Sequence, residues 1–158
     1  DVVGSWAHYI TNDGEISRDL QLPITHNEIR KKIIFFNPIL HSAVLMNKTM
    51  LDKIGLYGDN TEYVEDYELW IRAIHKGYKF GNVPECLVSI RHNPNSLTRG
   101  NSWKFAKKRA IQLKNVAIKE YRFNNFSDIF YYIMSLSTYF ISPNMASKIN
   151  KAIKRDKF

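Results

Sequence analysis

Residues 63–72 (YVEDYELWIR) constrain the fold more than any other stretch of this chain. Leu69, Trp70, Ala73 and Ile74 recur at helical spacing and make one apolar stripe. Asp66 has the character of an N-cap residue, and Gly77 follows Lys76 as a C-terminal stop. The window predicts an amphipathic helix over 66–75, and its stripe must be covered by other elements. Two adjacent carboxylates, Glu65 and Asp66, stand at its start. One reading is a cap, because a carboxylate there accepts backbone N–H bonds and is favoured by the helix dipole. The other is a general base held by a rigid helix beside a cleft.

The flanking elements read in order. Residues 2–11 form a strand, Asn12-Asp13-Gly14 a turn and residues 15–17 a return strand, together a hairpin. Thr25 with Glu28 three residues on is a capping box for a helix reaching about Phe36. Asn37-Pro38 ends it, and residues 39–46 finish in a short buried strand. A short helix over 50–54, opened by Asn47 or Thr49, stops at Gly55. Residues 78–83 and 87–90 read as two strands divided by Pro84-Glu85. Residues 103–121 and 129–141 are helical, the second capped by Ser127 or Asp128 and ended by Pro143. A basic amphipathic segment over 146–157 closes the chain. The alternation is that of an α/β protein with a mixed sheet and a helical C-terminal extension.

Charge divides the chain. Residues 1–99 carry 11 Lys/Arg and 12 Asp/Glu, a net of −1, whereas residues 100–158 carry 12 and 3, a net of +9. A near-neutral body over 1–99 is thus followed by a basic module over 100–158. The single cysteine, Cys86, excludes an internal disulfide framework and a Cys-rich zinc site, and its apolar setting reads as a structural thiol. No signal peptide or continuous membrane span is read, so the expected location is the cytoplasm, including the inner face of the membrane. The chain opens on Asp1 directly before a strand, as if cut from something longer.

Three pieces fall together: Asn37-Pro38-Ile39-Leu40-His41-Ser42 leading to Ile54-Gly55-Leu56-Tyr57, then residues 65–72, then Asn82-Val83-Pro84-Glu85 with Ile90-Arg91-His92 and Ser96. In this order and spacing they resemble the C-terminal half of family 2 glycosyltransferases, inverting enzymes of the GT-A fold that use nucleotide-sugar donors. The resemblance covers roughly residues 1–99 and implies polysaccharide biosynthesis at the cell envelope. It implies that Asp66 is the catalytic base, with Glu65 orienting it or binding acceptor hydroxyls. It further implies that His41 and Trp70 lie on the acceptor side, although by pattern Trp70 reads first as core and His41 at least equally so. It puts Arg91 and His92 near the donor diphosphate, with His92 a candidate metal ligand. Here the two are adjacent, whereas the commoner pattern is Arg-x-His.

One departure matters more. The family holds a divalent cation, manganese or magnesium, on the diphosphate with an Asp-x-Asp motif, and no Asp-x-Asp occurs in these 158 residues. A Gly-rich phosphate loop is missing too. The expectation is that this chain alone neither binds donor tightly nor turns over. Exposed sheet edges are expected where the other half belongs, and a homodimer is one way to cover them.

The tail has two readings. The apolar run over 129–141 is too short to span a bilayer core of about 30 Å. With the lysines that follow, 129–157 suits an anionic membrane surface and a lipid-linked acceptor. Alternatively, it is a helical subdomain packed on the body. A basic helical interaction or nucleic-acid-binding module is the competing function. Nucleic acid is the weaker partner, because the basic residues lie on helices and no binding motif accompanies them.

Overall fold

The computed structural model describes residues 1–91, 103–121, 123 and 125–137. The hairpin forms as read: β1 (Val2–Ile10) pairs antiparallel with β2 (Ile16–Leu20) around Gly14, whose φ of 92° suits glycine. β1 is the central strand. One of its edges carries β2 at one end and the two-residue β3 (Leu45–Met46) at the other, and its second edge carries β4 (Phe80–Arg91) in parallel. The sheet is mixed and open, and five helices surround it among the described residues.

Two strand expectations need correction. The short strand that ends residues 39–46 forms as β3, but it is not buried: Leu45 is 76% exposed, and a 3-10 turn (His41–Ala43) precedes it. The two strands expected on either side of Pro84-Glu85 are one strand. Ser5 pairs with Val83 and Trp6 with Cys86, so Pro84 and Glu85 bulge out between them. A bulge frees proline from the ladder bond it cannot donate, so the strand continues through it.

Helix α1 (His26–Lys32) carries the capping box complete, with Thr25 accepting from the Glu28 N–H and Glu28 accepting from the Thr25 N–H. It ends earlier than Phe36, in a turn. α2 (Lys48–Ile54) is capped by Asn47 and stopped at Gly55 (φ 86°). α3 (Glu65–His75) forms over the expected window, but its N-cap is Val64, which has no side-chain cap. Asp66 lies inside the first turn, so its carboxylate is not the cap. The stripe of α3 is buried: Leu69, Trp70, Ile71 and Ala73 are at most 1% exposed. They share a core with Val2, Ile29, Ile33, Met50 and Phe80.

α4 (Trp103–Lys119) adds Leu113 and Ala117 to that same core, and Phe123 joins it from the connection to α5 (Phe126–Ser137). Asn125 caps α5 by accepting the Asp128 N–H at 2.9 Å, rather than Ser127 or Asp128. Asp128 is fully buried and takes a two-pronged bond from Arg30 of α1, at 2.8 and 3.0 Å. Lys114 donates to the Phe35 carbonyl at 2.8 Å, and burial, then Lys107, pushes its pKa down to about 8.

Candidate functional site

The first turn of α3 meets three loops. Asn37, in the turn after α1, donates from Nδ2 to Asp66 Oδ2 at 2.8 Å, while its Oδ1 accepts the Ile39 N–H at 3.2 Å. The side chain is therefore fixed at both ends, and it fixes one oxygen of Asp66. Asn82 braces the same turn from β4, donating to the carbonyls of Pro23 (2.6 Å) and Pro38 (3.0 Å). Gly4 of β1 is required beside it, since a Cβ there would lie 2.2 Å from Asn82 Oδ1.

His41, on the 3-10 turn, lies edge-on to Trp70, with centroids 6.3 Å apart. Its Nε2 and the Tyr57 hydroxyl are 2.7 Å apart, a hydrogen bond whose direction follows the tautomer. Tyr57 is delivered by the loop after α2, and Arg72 of α3 holds that loop. Arg72 forks onto Glu68 at 2.8 and 2.9 Å and donates to the carbonyls of Ile54, Gly55 and Leu56. Beneath, the Tyr67 hydroxyl donates to the Ile33 carbonyl, tying α3 to the end of α1.

Burial pushes the Asp66 carboxyl above its ordinary range, and Glu65 adds to this. The Tyr67 backbone N–H, His41 and Asn37 pull it back but do not cancel the shift. Burial, then the charges of Asp66 and Glu65, pushes the Tyr57 hydroxyl up, so it stays a donor. Glu65 Oε2 is closed off from water with no protein partner. A proton-accepting carboxylate of raised basicity, held by an amide and flanked by a histidine and a phenol, is equipped for general-base work.

Glu65, Asp66 and His41 thus converge. Trp70 is fully buried against Phe80 and forms the floor under His41, with no face open to an acceptor. Arg91 is not brought to this cluster: it ends β4, roughly 25–30 Å of extended strand beyond Asn82, and donates to the Thr11 and Asn12 carbonyls of the hairpin turn. His92 lies outside the described residues. Asn37 and Tyr57 were not legible as site residues. Asn37 stands before a proline and reads as a helix stop, and only the contact across 29 positions reveals its second use.

A separate cavity of ≈ 290 Å³ opens between residues 58–64, α3 and α4, lined by Gly58, Thr61, Glu68, Arg109 and Tyr121. Asp66, Asn37 and His41 do not line it. Among the described residues, no three His, Cys, Asp or Glu donors gather at Asp66, so the residues here do not fit the cation expected on a donor diphosphate.

Comparison with known proteins gives one consistent class. The amylovoran biosynthesis glycosyltransferase AmsE of Erwinia amylovora is 29% identical over 87 residues, 55% of this chain and 32% of that protein. The UDP-Gal:alpha-D-GlcNAc-diphosphoundecaprenol beta-1,3-galactosyltransferase of Escherichia coli is 28% identical over 106 residues, 66% of this chain and 38% of that protein. An uncharacterized glycosyltransferase of Methanocaldococcus jannaschii is 27% identical over 92 residues, 58% of this chain and 31% of that protein. The chain spans about a third of the length of these relatives. No family model and no solved structure matches it.

Proposed function

We propose that this chain is the acceptor-side, base-bearing part of a GT-A, family 2 glycosyltransferase that transfers a hexosyl group from a nucleotide-sugar to a saccharide or lipid-linked acceptor with inversion. The observation that carries this reading is Asp66: a half-buried carboxylate of raised basicity, fixed by Asn37 on the first turn of a rigid helix. The relatives, all named glycosyltransferases, supply the class.

In this mechanism Asp66 takes the proton of the acceptor hydroxyl as that oxygen bonds to the anomeric carbon. The bond to the diphosphate breaks on the opposite face, and the nucleoside diphosphate leaves with the electron pair. Glu65 beside Asp66 orients it or receives a second acceptor hydroxyl. Tyr57 and His41 shape the wall beside it. In this reading the donor and its divalent cation are held by an Asp-x-Asp half that these 158 residues do not contain, and the isolated chain is inactive for want of it.

The test is transfer by an enzyme that joins this chain to a nucleotide-sugar-binding half. Asp66→Asn lowers kcat by about 10²–10⁴-fold with KM little changed, the usual weight of a general base. Unchanged transfer would overturn the assignment.

The lipid-linked alternative for the acceptor has its own support. Phe126 (88% exposed), Phe130 (51%) and Ile133 (60%) share one face of α5. No described helix is long and apolar enough to cross a membrane, so contact is peripheral in this reading. The chain is expected to sediment with anionic vesicles and less so at high salt or as Phe130→Ser/Ile133→Ser. Equal sedimentation of the variant would remove the membrane face. A homodimer across the open sheet edges belongs to the same proposal.

A further inference from the structure

We infer that His8, Asp19 and Cys86 form a binding site for a zinc-class divalent cation, on the sheet and apart from Asp66. The three side chains come from three adjacent strands, and the register puts them together. His8 of β1 stands directly opposite Asp19 of β2. Cys86 of β4 stands opposite Trp6, two residues before His8 on β1, and residues two apart on a strand share a face. The bulge at Pro84-Glu85 sets Cys86 opposite Trp6 instead of opposite His8, so it lies diagonal to His8 on that face.

One ligating atom from each residue lies within 4.8 Å of the other two. A tetrahedral ion with Zn–N and Zn–O near 2.0 Å and Zn–S near 2.3 Å needs donors about 3.3–3.8 Å apart, within reach of small side-chain rotations. His8 Nδ1 and Asp19 Oδ1 are 2.7 Å apart, so in the metal-free chain they share a hydrogen bond that the ion replaces. All three residues are partly or largely open to solvent, which gives the ion an entry path and leaves a fourth position for water. Sulfur, nitrogen and oxygen together select zinc, cobalt or copper over magnesium or manganese, which prefer all-oxygen sites. The site is therefore distinct from the hard cation that a nucleotide-sugar requires. On binding, the Cys86 sulfur–metal bond forms as the thiol proton leaves to solvent and the His8–Asp19 bond opens. Without a cation, burial and Asp19 push the Cys86 thiol up, which keeps it protonated and unsuited to nucleophilic chemistry.

The probe is cobalt(II), titrated into the tag-free chain and followed by absorption. We expect a thiolate-to-cobalt charge-transfer band saturating at one ion per chain and displaced by zinc. Cys86→Ser abolishes the band, while His8→Ala and Asp19→Asn each weaken binding by at least about tenfold, the loss that even an outer-shell partner of a metal produces. Far-UV circular dichroism checks that each variant keeps its fold. Absence of the band in the unmodified chain overturns the proposal. So does unchanged affinity in both His8→Ala and Asp19→Asn, which would reduce the site to a lone thiol.

Discussion

At the scale of single residues, Asp66 links reactivity to stability. Its folded-state pKa is raised above the ordinary value of 3.8, chiefly by burial. The native chain therefore holds this proton to higher pH than the unfolded chain does. Between the two values the folded state binds more protons, so stability falls as pH rises, and the penalty is fully present once pH passes the raised folded value. Asp66→Asn removes the charge while keeping a side-chain oxygen for Asn37. It should raise Tm at pH 7, and the gain should shrink as pH falls toward 3.8. A thermal melt across that range checks this, and a gain independent of pH would disconnect it from the carboxyl. Under the proposed reading of Asp66 as the base, that gain marks function held against stability. The helix that carries Asp66 was legible from its period and its Gly77 stop, whereas the reading of Asp66 as a base came from the family resemblance. Asn37 was not legible, since a residue before proline has a sufficient local explanation.

At the scale of elements, legibility followed locality. The hairpin, the capping box of α1 and the Gly55 and Gly77 stops depend on neighbours in sequence, and they form where expected. Single-strand β4 was missed because its continuity is enforced by β1, across about eighty positions, and a bulge absorbs Pro84. Asp128 was misread for the same reason. It looks like a cap, yet it is buried against Arg30, whose guanidinium also lies 3.9 Å over the Phe123 ring. Breaking such a pair strands a charge in the interior, at a cost of about 3–5 kcal/mol. Asp128→Ala should therefore unfold at markedly lower denaturant, whereas Arg30→Met/Asp128→Leu should recover most of the loss. If the single variant melts like the parent, the α1–α5 joint is not holding the tail.

At the scale of the whole molecule, the step in charge near Arg99 is not matched by a gap in the core. Residues before it are near neutral and those after it strongly basic, which invites separation into body and extension. Yet Leu113, Ala117 and Phe123 pack in one cluster with Val2, Ile29 and Trp70, and Lys114 caps the Phe35 carbonyl from across the boundary. Charge reports what faces water, and the core is set by what does not, so the two need not divide at the same place. That difference is measurable. A chain ending at Arg99 gives up those three apolar side chains and leaves Arg30 without Asp128. At about 1.5–3 kcal/mol for each large buried side chain, the loss is comparable with the whole stability of a small domain. Residues 1–99 alone are expected to bind a hydrophobic dye and to melt without cooperativity. A cooperative melt within about 5 °C of the full chain would mean instead that the body folds by itself and that α4 and α5 are only laid upon it.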